Sequence, residues 1–218
     1  MGIEIVKESK NYIVVHKLPG LATQTSKLGE KDLVSEIKNH LAKNGSRNPY
    51  LAVINRLDQP VEGLVLLAKN EKAAAALSKQ LDNGQIEKYY CARVWGHMQD
   101  KQGKLENYLL KDGKTNTSKV VNNGGNNAKL AKLEYEVIDC DENTDTVKIH
   151  LLTGRHHQIR VQFSNCGNPL IGDSKYGNPE SIAWSRANGT RWVCLKAYRL
   201  SFSDLDTKEA VDIELDLK

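Results

Sequence analysis

The stretch Asn55-Arg56-Leu57-Asp58-Gln59-Pro60-Val61-Glu62-Gly63-Leu64-Val65-Leu66-Leu67-Ala68-Lys69 decides how this chain is read. The apolar run Leu51-Ala52-Val53-Ile54 ends just ahead of it, and a second apolar run follows within a few residues. Arg56 and Asp58 therefore fall in a short turn between two expected buried strands, a rigid base for a reactive group. One residue separates them, so on an extended backbone they point the same way. Plainer readings stand beside this one. Aspartate is common before a turn proline, where it bonds local backbone, and Arg56 reads equally as a surface charge or a partner of Glu62.

Length and composition narrow the classes. A chain of 218 residues buries a large core without staples. No apolar stretch approaches the roughly 18 residues of a membrane span. The opening Met1-Gly2-Ile3-Glu4-Ile5-Val6 has neither a basic segment nor a small-residue cleavage site, and Val6 stands where myristoylation needs Ser or Thr. The expected location is the cytoplasm. Cys91, Cys140, Cys166 and Cys194 are far apart and form no Cys-x-x-Cys pair, so they are expected to be buried thiols rather than zinc ligands or disulfides. The net charge of +4 hides an asymmetry. Residues 204–218 carry six acids and two lysines, which leaves +8 on residues 1–203. That balance is compatible with a nucleic-acid partner without requiring one.

The pattern along the chain mixes strands and helices without regular alternation, which favours α+β over a doubly wound sheet. Strands are expected at Ile3 to Val6, Tyr12 to His16, Tyr89 to Trp95, Leu130 to Asp139, Thr146 to Leu152, Tyr198 to Phe202 and Val211 to Leu217. Lys31 to Lys43 sets Leu33, Val34, Ile37 and Leu41 on one helical face. A second helix is expected to start at an Asn70 cap and end before Asn83-Gly84, and a third to span His156 to Asn165. Asn122 to Asn127 reads as a flexible turn, rich in residues that tolerate left-handed backbone. The whole is expected to form one domain over residues 1–218.

Three further blocks carry chemistry. In Glu87-Lys88-Tyr89-Tyr90-Cys91-Ala92-Arg93-Val94-Trp95-Gly96, a strand puts Lys88, Tyr90, Ala92 and Val94 on one face. Taken alone, Tyr90 is an ordinary strand aromatic. Thr153-Gly154-Arg155-His156-His157-Gln158-Ile159-Arg160 opens the third helix, and Gly167 to Gly177 follows it. The adjacent histidines suggest a metal only weakly, because neighbouring helix residues diverge by about 100°. Tyr12-Ile13-Val14-Val15-His16-Lys17-Leu18-Pro19-Gly20 forms an opening strand and a turn expected to be structural.

Together these blocks resemble the RluA-type pseudouridine synthases. Arg56-Leu57-Asp58 matches the family's Arg-Leu-Asp motif. Lys88, Tyr90, Ala92, Val94 and Gly96 match its Lys-x-Tyr-x-Ala-x-Val-x-Gly pattern, and residues 153–160 are similar to its Thr-Gly-Arg-x-His-Gln-Ile-Arg segment. The likeness covers nearly the whole chain in the family's order. Two departures stand out: Asn55 where most members have His, and His156 where they have Arg or Thr. Both bear on substrate preference more than on the chemistry.

The resemblance implies a mixed, mostly antiparallel central sheet flanked by helices, with a central RNA-binding cleft. It further implies isomerisation of uridine to pseudouridine in structured RNA, ribosomal or transfer, after the base is flipped out at a cost of a few kcal/mol. Asp58 is then the nucleophile, attacking either the glycosidic carbon or the base ring. Tyr90 positions the base and Arg160 pairs with Asp58. Arg56 fills the vacated space, Leu57 and Ile159 pack beside the site, and Arg155 and His157 complete the substrate-binding set. No cofactor, metal, membrane or obligate protein partner is implied, and a monomer is expected. The expectation is a catalytic domain alone, without the N-terminal RNA-binding domain of many members. The alternative is a non-catalytic RNA-binding or RNA-folding protein on the same scaffold.

Overall fold

The computed structural model describes residues 4–25, 29–122, 125 and 127–217. In chain order its elements begin with β1 (Glu4–Glu8), β2 (Tyr12–Lys17), α1 (Leu33–Lys43), β3 (Ala52–Val53) and β4 (Glu62–Ala68). They continue with α2 (Glu71–Asp82), β5 (Glu87–Trp95), β6 (Gln102–Asp112), β7 (Thr117–Val121), β8 (Lys129–Cys140) and β9 (Thr144–Leu151). The last are α3 (Gln158–Asn165), α4 (Pro179–Ala187), β10 (Leu195–Ser203) and β11 (Ala210–Glu214). The chain divides into two compact units, Met1–Glu87 with Ala197–Lys218, and Lys88–Lys196. The fold class is α+β with mostly antiparallel pairing, as expected.

In the first unit β2 pairs antiparallel with β1 on one side and β4 on the other. Ile13, Val14 and Val15 oppose Leu67, Leu66 and Val65. Both strands are apolar at successive positions rather than alternate ones, and both are buried on both faces. β11 pairs antiparallel with the outer part of β10. Asp32 caps α1 by accepting the Ser35 amide, and Asn70 caps α2 by accepting the Ala73 amide, so each helix starts where its cap residue stands. Tyr12, Leu64, Leu66, Leu77, Leu200 and Phe202 share one core. The Tyr12 ring meets Phe202 edge-on at 5.0 Å, while its hydroxyl reaches Asp204 at 3.0 Å.

The second unit is a sheet in the order β5-β9-β8-β6-β7, antiparallel at every step. β5 alternates as read: Tyr90, Ala92 and Val94 are buried, and their neighbours are half-exposed. α3 is buried from Gln158 to Phe163, and Val161 packs with Leu109 and Ala131.

Several expectations are corrected. The run before the Arg56 turn forms only the two-residue, half-buried β3, because its backbone is soon diverted into the turn. The third helix starts at Gln158 rather than His156, because His157 holds a left-handed backbone with φ 53°. Cys140 and Cys166 are exposed and Cys91 and Cys194 half-buried, all as free thiols, since they lie at element ends or on the open face of a strand. β6, β7 and α4 were not anticipated. Ile3 and part of the expected turn, Asn123, Gly124 and Asn126, lie outside the described residues.

Gly63 opens β4 with φ 131°, and a Cβ there would lie 2.3 Å from the Ala197 carbonyl oxygen and 2.5 Å from its nitrogen. The contact is with backbone, which cannot swing aside as a flexible side chain would. Gly63→Ala is expected to destabilise the protein by at least about 2 kcal/mol through strain and displacement of β10. Urea unfolding measures this, and a variant as stable as the wild type would show that β10 does not approach β4 this closely.

Candidate active site

The Asp58 turn belongs to the first unit and is built from its neighbours' backbone. Asn55 is buried, with its amide nitrogen donating to the Leu64 carbonyl at 3.1 Å and its oxygen accepting the Leu66 amide at 2.7 Å. This ties the turn to β4, so the departure at Asn55 has a structural role. Thr23 Oγ1 donates to the Leu57 carbonyl at 2.8 Å and accepts the Leu57 amide at 3.2 Å. The Gly20 amide donates to the Gln59 carbonyl at 2.8 Å, and the Val61 amide to that of Asp58 at 3.0 Å. Along the turn Arg56 is exposed, Leu57 buried and Asp58 half-buried. Leu57 thus anchors the segment and leaves the residues on either side accessible.

Beneath the turn lies Lys17, fully buried at the end of β2. Its ammonium donates to the carbonyls of Leu21 at 2.8 Å, Leu18 at 3.1 Å and Gln59 at 3.3 Å. Its three protons thereby join the 18–21 loop to the Asp58 turn. Burial pushes its pKa from 10.5 down to about 8, against the opposing pull of the Asp58 and Glu62 carboxylates. The motif lysine read as structural is therefore a cation that stands close enough to Asp58 to feel its charge.

The second unit carries the other expected residues. Tyr90 is buried on β5, and Ile159 and Arg160 are buried on α3. Arg160 Nε donates to Asp173 Oδ2 at 2.7 Å and Nη2 to Oδ1 at 2.8 Å, a bidentate pair with the carboxylate wholly enclosed. Asp173 Oδ1 also accepts the amides of Lys175 and Tyr176 at 3.0 and 3.1 Å. The Tyr176 ring covers the guanidinium, 5.1 Å from centroid to Cζ, and its hydroxyl lies 2.7 Å from His157 Nδ1. Arg155 is exposed, and its Nε donates to the Leu130 carbonyl at 2.9 Å. Lys88 Nζ comes within 3.8 Å of a Cβ built on Gly154, and burial lowers its pKa.

The structure thus gathers His157, Arg160, Asp173 and Tyr176, of which sequence reading singled out the first two. Asp173 and Tyr176 stood inside a quoted block, but their spacing from Arg160 gave no sign of contact. Among the described residues no group of His, Cys, Asp and Glu is arranged to hold a metal ion. No described helix is long and apolar enough to cross a membrane.

Residues 11–165 match the RNA pseudouridylate synthase family, and the chain belongs to it. It is 32% identical over 188 residues to the dual-specificity RNA pseudouridine synthase RluA of Vibrio parahaemolyticus, covering 84% of this chain and 72% of that one. The RluA of Escherichia coli is 32% identical over 182 residues, with 82% and 79% covered. The fold resembles that of the human RNA pseudouridylate synthase domain containing 1, with a TM-score of 0.79 at 21% identity, covering 99% of this chain and 83% of that one.

The Lys17 shift has a defined sign in stability. Because the folded-state pKa of about 8 lies below the ordinary 10.5, the unfolded chain holds the extra proton between those values. The contribution of Lys17 to stability therefore rises with pH across that window, by roughly 3 kcal/mol in all. Unfolding of wild type and Lys17→Met at pH 7.5 to 10 tests it. The gap between the two curves should move in favour of the wild type as pH rises, and parallel curves would contradict the assignment.

Proposed function

We propose that this chain is an RNA pseudouridine synthase that isomerises uridines in structured ribosomal or transfer RNA, with Asp58 as nucleophile. The reading is carried by the braced Asp58 turn: a carboxylate on a rigid, backbone-bonded segment over a buried cation, in a chain of this family. The named activity of its relatives supports the substrate class.

The reaction moves no net electrons. The bond from N1 of the base to C1′ breaks, a bond from C5 to C1′ forms, C5 loses a proton and N1 gains one. Nothing in that balance calls for a cofactor. The target base is flipped out first, which is least costly in a loop. Arg56, exposed at the edge of the turn, fills the vacated space. Asp58 attacks C1′ or the base ring, the bond from N1 to C1′ breaks, the freed base turns while it is held, and Asp58 leaves again as the product bond from C5 to C1′ is completed. Tyr90 stacks on the base and receives or relays the C5 proton. Arg160, held in place by Asp173, supplies positive charge to the reaction, Leu57 and Ile159 are apolar supports, and Arg155 and His157 contact RNA or support the groups that do. A detached base must be enclosed to rejoin rather than escape, which gives rigid, buried supports their purpose. The protein acts as a monomer in the cytoplasm.

Asp58→Asn is expected to abolish pseudouridine formation, measured by nucleoside chromatography of treated RNA, while RNA affinity stays within a few fold. Arg160→Ala should lower turnover strongly, and Arg56→Ala should weaken RNA engagement more than thermal stability. Turnover by Asp58→Asn would remove it as the nucleophile. A sound, RNA-binding wild type with no product would favour the non-catalytic reading.

A further inference from the structure

The rings of His156 and His157 stack at 3.7 Å between centroids, 27° apart in plane. They do so because His157 lies outside the helix in the left-handed region, at φ 53° and ψ 26°. A residue with a Cβ rarely stays there unless its surroundings hold it. Here the surroundings come from the β6–β7 hairpin and the segment after α3. His156 Nδ1 lies 2.9 Å from Ser118 Oγ, and Nε2 lies 3.1 Å from Asn116 Oδ1. The Ser118 amide donates to the Tyr176 hydroxyl at 2.8 Å, the group that also meets His157 Nδ1. Lys175 Nζ donates to the Asn116 carbonyl at 3.0 Å.

These contacts form a chain that ends on Arg160. Tyr176 covers the guanidinium with its ring and gives its amide to Asp173, whose carboxylate clamps the same guanidinium. A shift of the hairpin therefore moves Ser118 and Asn116, then the Tyr176 ring, then the support of Arg160. The hairpin also exposes Lys111, Lys114 and Lys119, cations that attract a polyanion.

We propose that His156 is a positioning residue: it latches the β6–β7 hairpin to Tyr176 and so fixes Arg160, coupling RNA held on the hairpin to the arginine used in the reaction. The proposal rests on the synthase reading and adds to it a group that touches neither base nor nucleophile.

Two measurements test it on the full chain. The first is single-turnover isomerisation of tritiated bulk RNA from cells lacking this gene, by wild type, His156→Ala, Ser118→Ala, the double variant and His156→Gln. His156→Ala should slow the step at saturating RNA by about tenfold to a hundredfold, the scale of a small misplacement. RNA affinity and melting temperature should stay near wild type. Ser118→Ala should add little in the double variant, because both cut one latch. His156→Gln, which keeps a donor and an acceptor, should recover part of the rate. An unchanged rate, a loss of affinity alone, or a loss matched by a collapsed melting temperature would overturn the latch. The second is amide hydrogen exchange of residues 117–121 and 173–176, which should quicken in His156→Ala without a change in α2. An inactive wild type would overturn the synthase reading, and unchanged exchange would overturn the latch independently of it.

Discussion

A lysine with no exposure to water holds the segment on which the proposed chemistry depends. Lys17 gives its ammonium to three backbone carbonyls, one of them in the Asp58 turn. Burying a cation is costly, and here burial is strong enough to lower its pKa to about 8. The return is a fixed turn, since the carbonyls it binds belong to two loop segments that it ties together. Thr23 and Asn55 complete the brace from the opposite sides. The nucleophile proposed for the reaction is thus carried by backbone geometry.

The second unit applies the same logic to a buried helix. Gln158 accepts the Arg155 amide and the Thr153 hydroxyl and donates to the Lys132 carbonyl, so it closes the loop ahead of α3. Gln162 donates to the Asn107 side chain and the Leu105 carbonyl, which fixes the helix to β6. Its oxygen is buried without a hydrogen-bond partner among the described residues. Arg160 sits between these two glutamines in sequence and takes its own counter-charge from Asp173. Removing that carboxylate would take away a buried bidentate partner and is strongly destabilising. A helix carrying such groups inward is held by polar contacts as much as by its apolar face.

Local signals made much of this legible in the sequence. The Asn70 cap, the spacing of Leu33, Ile37 and Leu41, and the alternation of β5 each depend on a few adjacent residues, and each fixed its element closely. β6 and β7 were missed because inward positions are held by Gly103, Asn107 and Ser118 rather than by apolar residues, which blurs the alternation. α4 was missed because its buried positions, Ser181 and Ser185, are not apolar. Within the site, Asp58 and Arg160 could be singled out by motif. Lys17 and Asp173 could not be given their partners, because those contacts join segments 42 and 13 residues apart through tertiary structure. The His156 stack was hidden for another reason: it requires a left-handed His157, which helical spacing rules out.

The central claim is that this chain makes pseudouridine. The most direct measurement is tritium release from RNA labelled at carbon 5 of uridine, taken from cells lacking the gene and treated with the purified protein. The account predicts release that matches pseudouridine formed, one for one. RNA that is bound by the protein and yields neither tritium nor pseudouridine would contradict it.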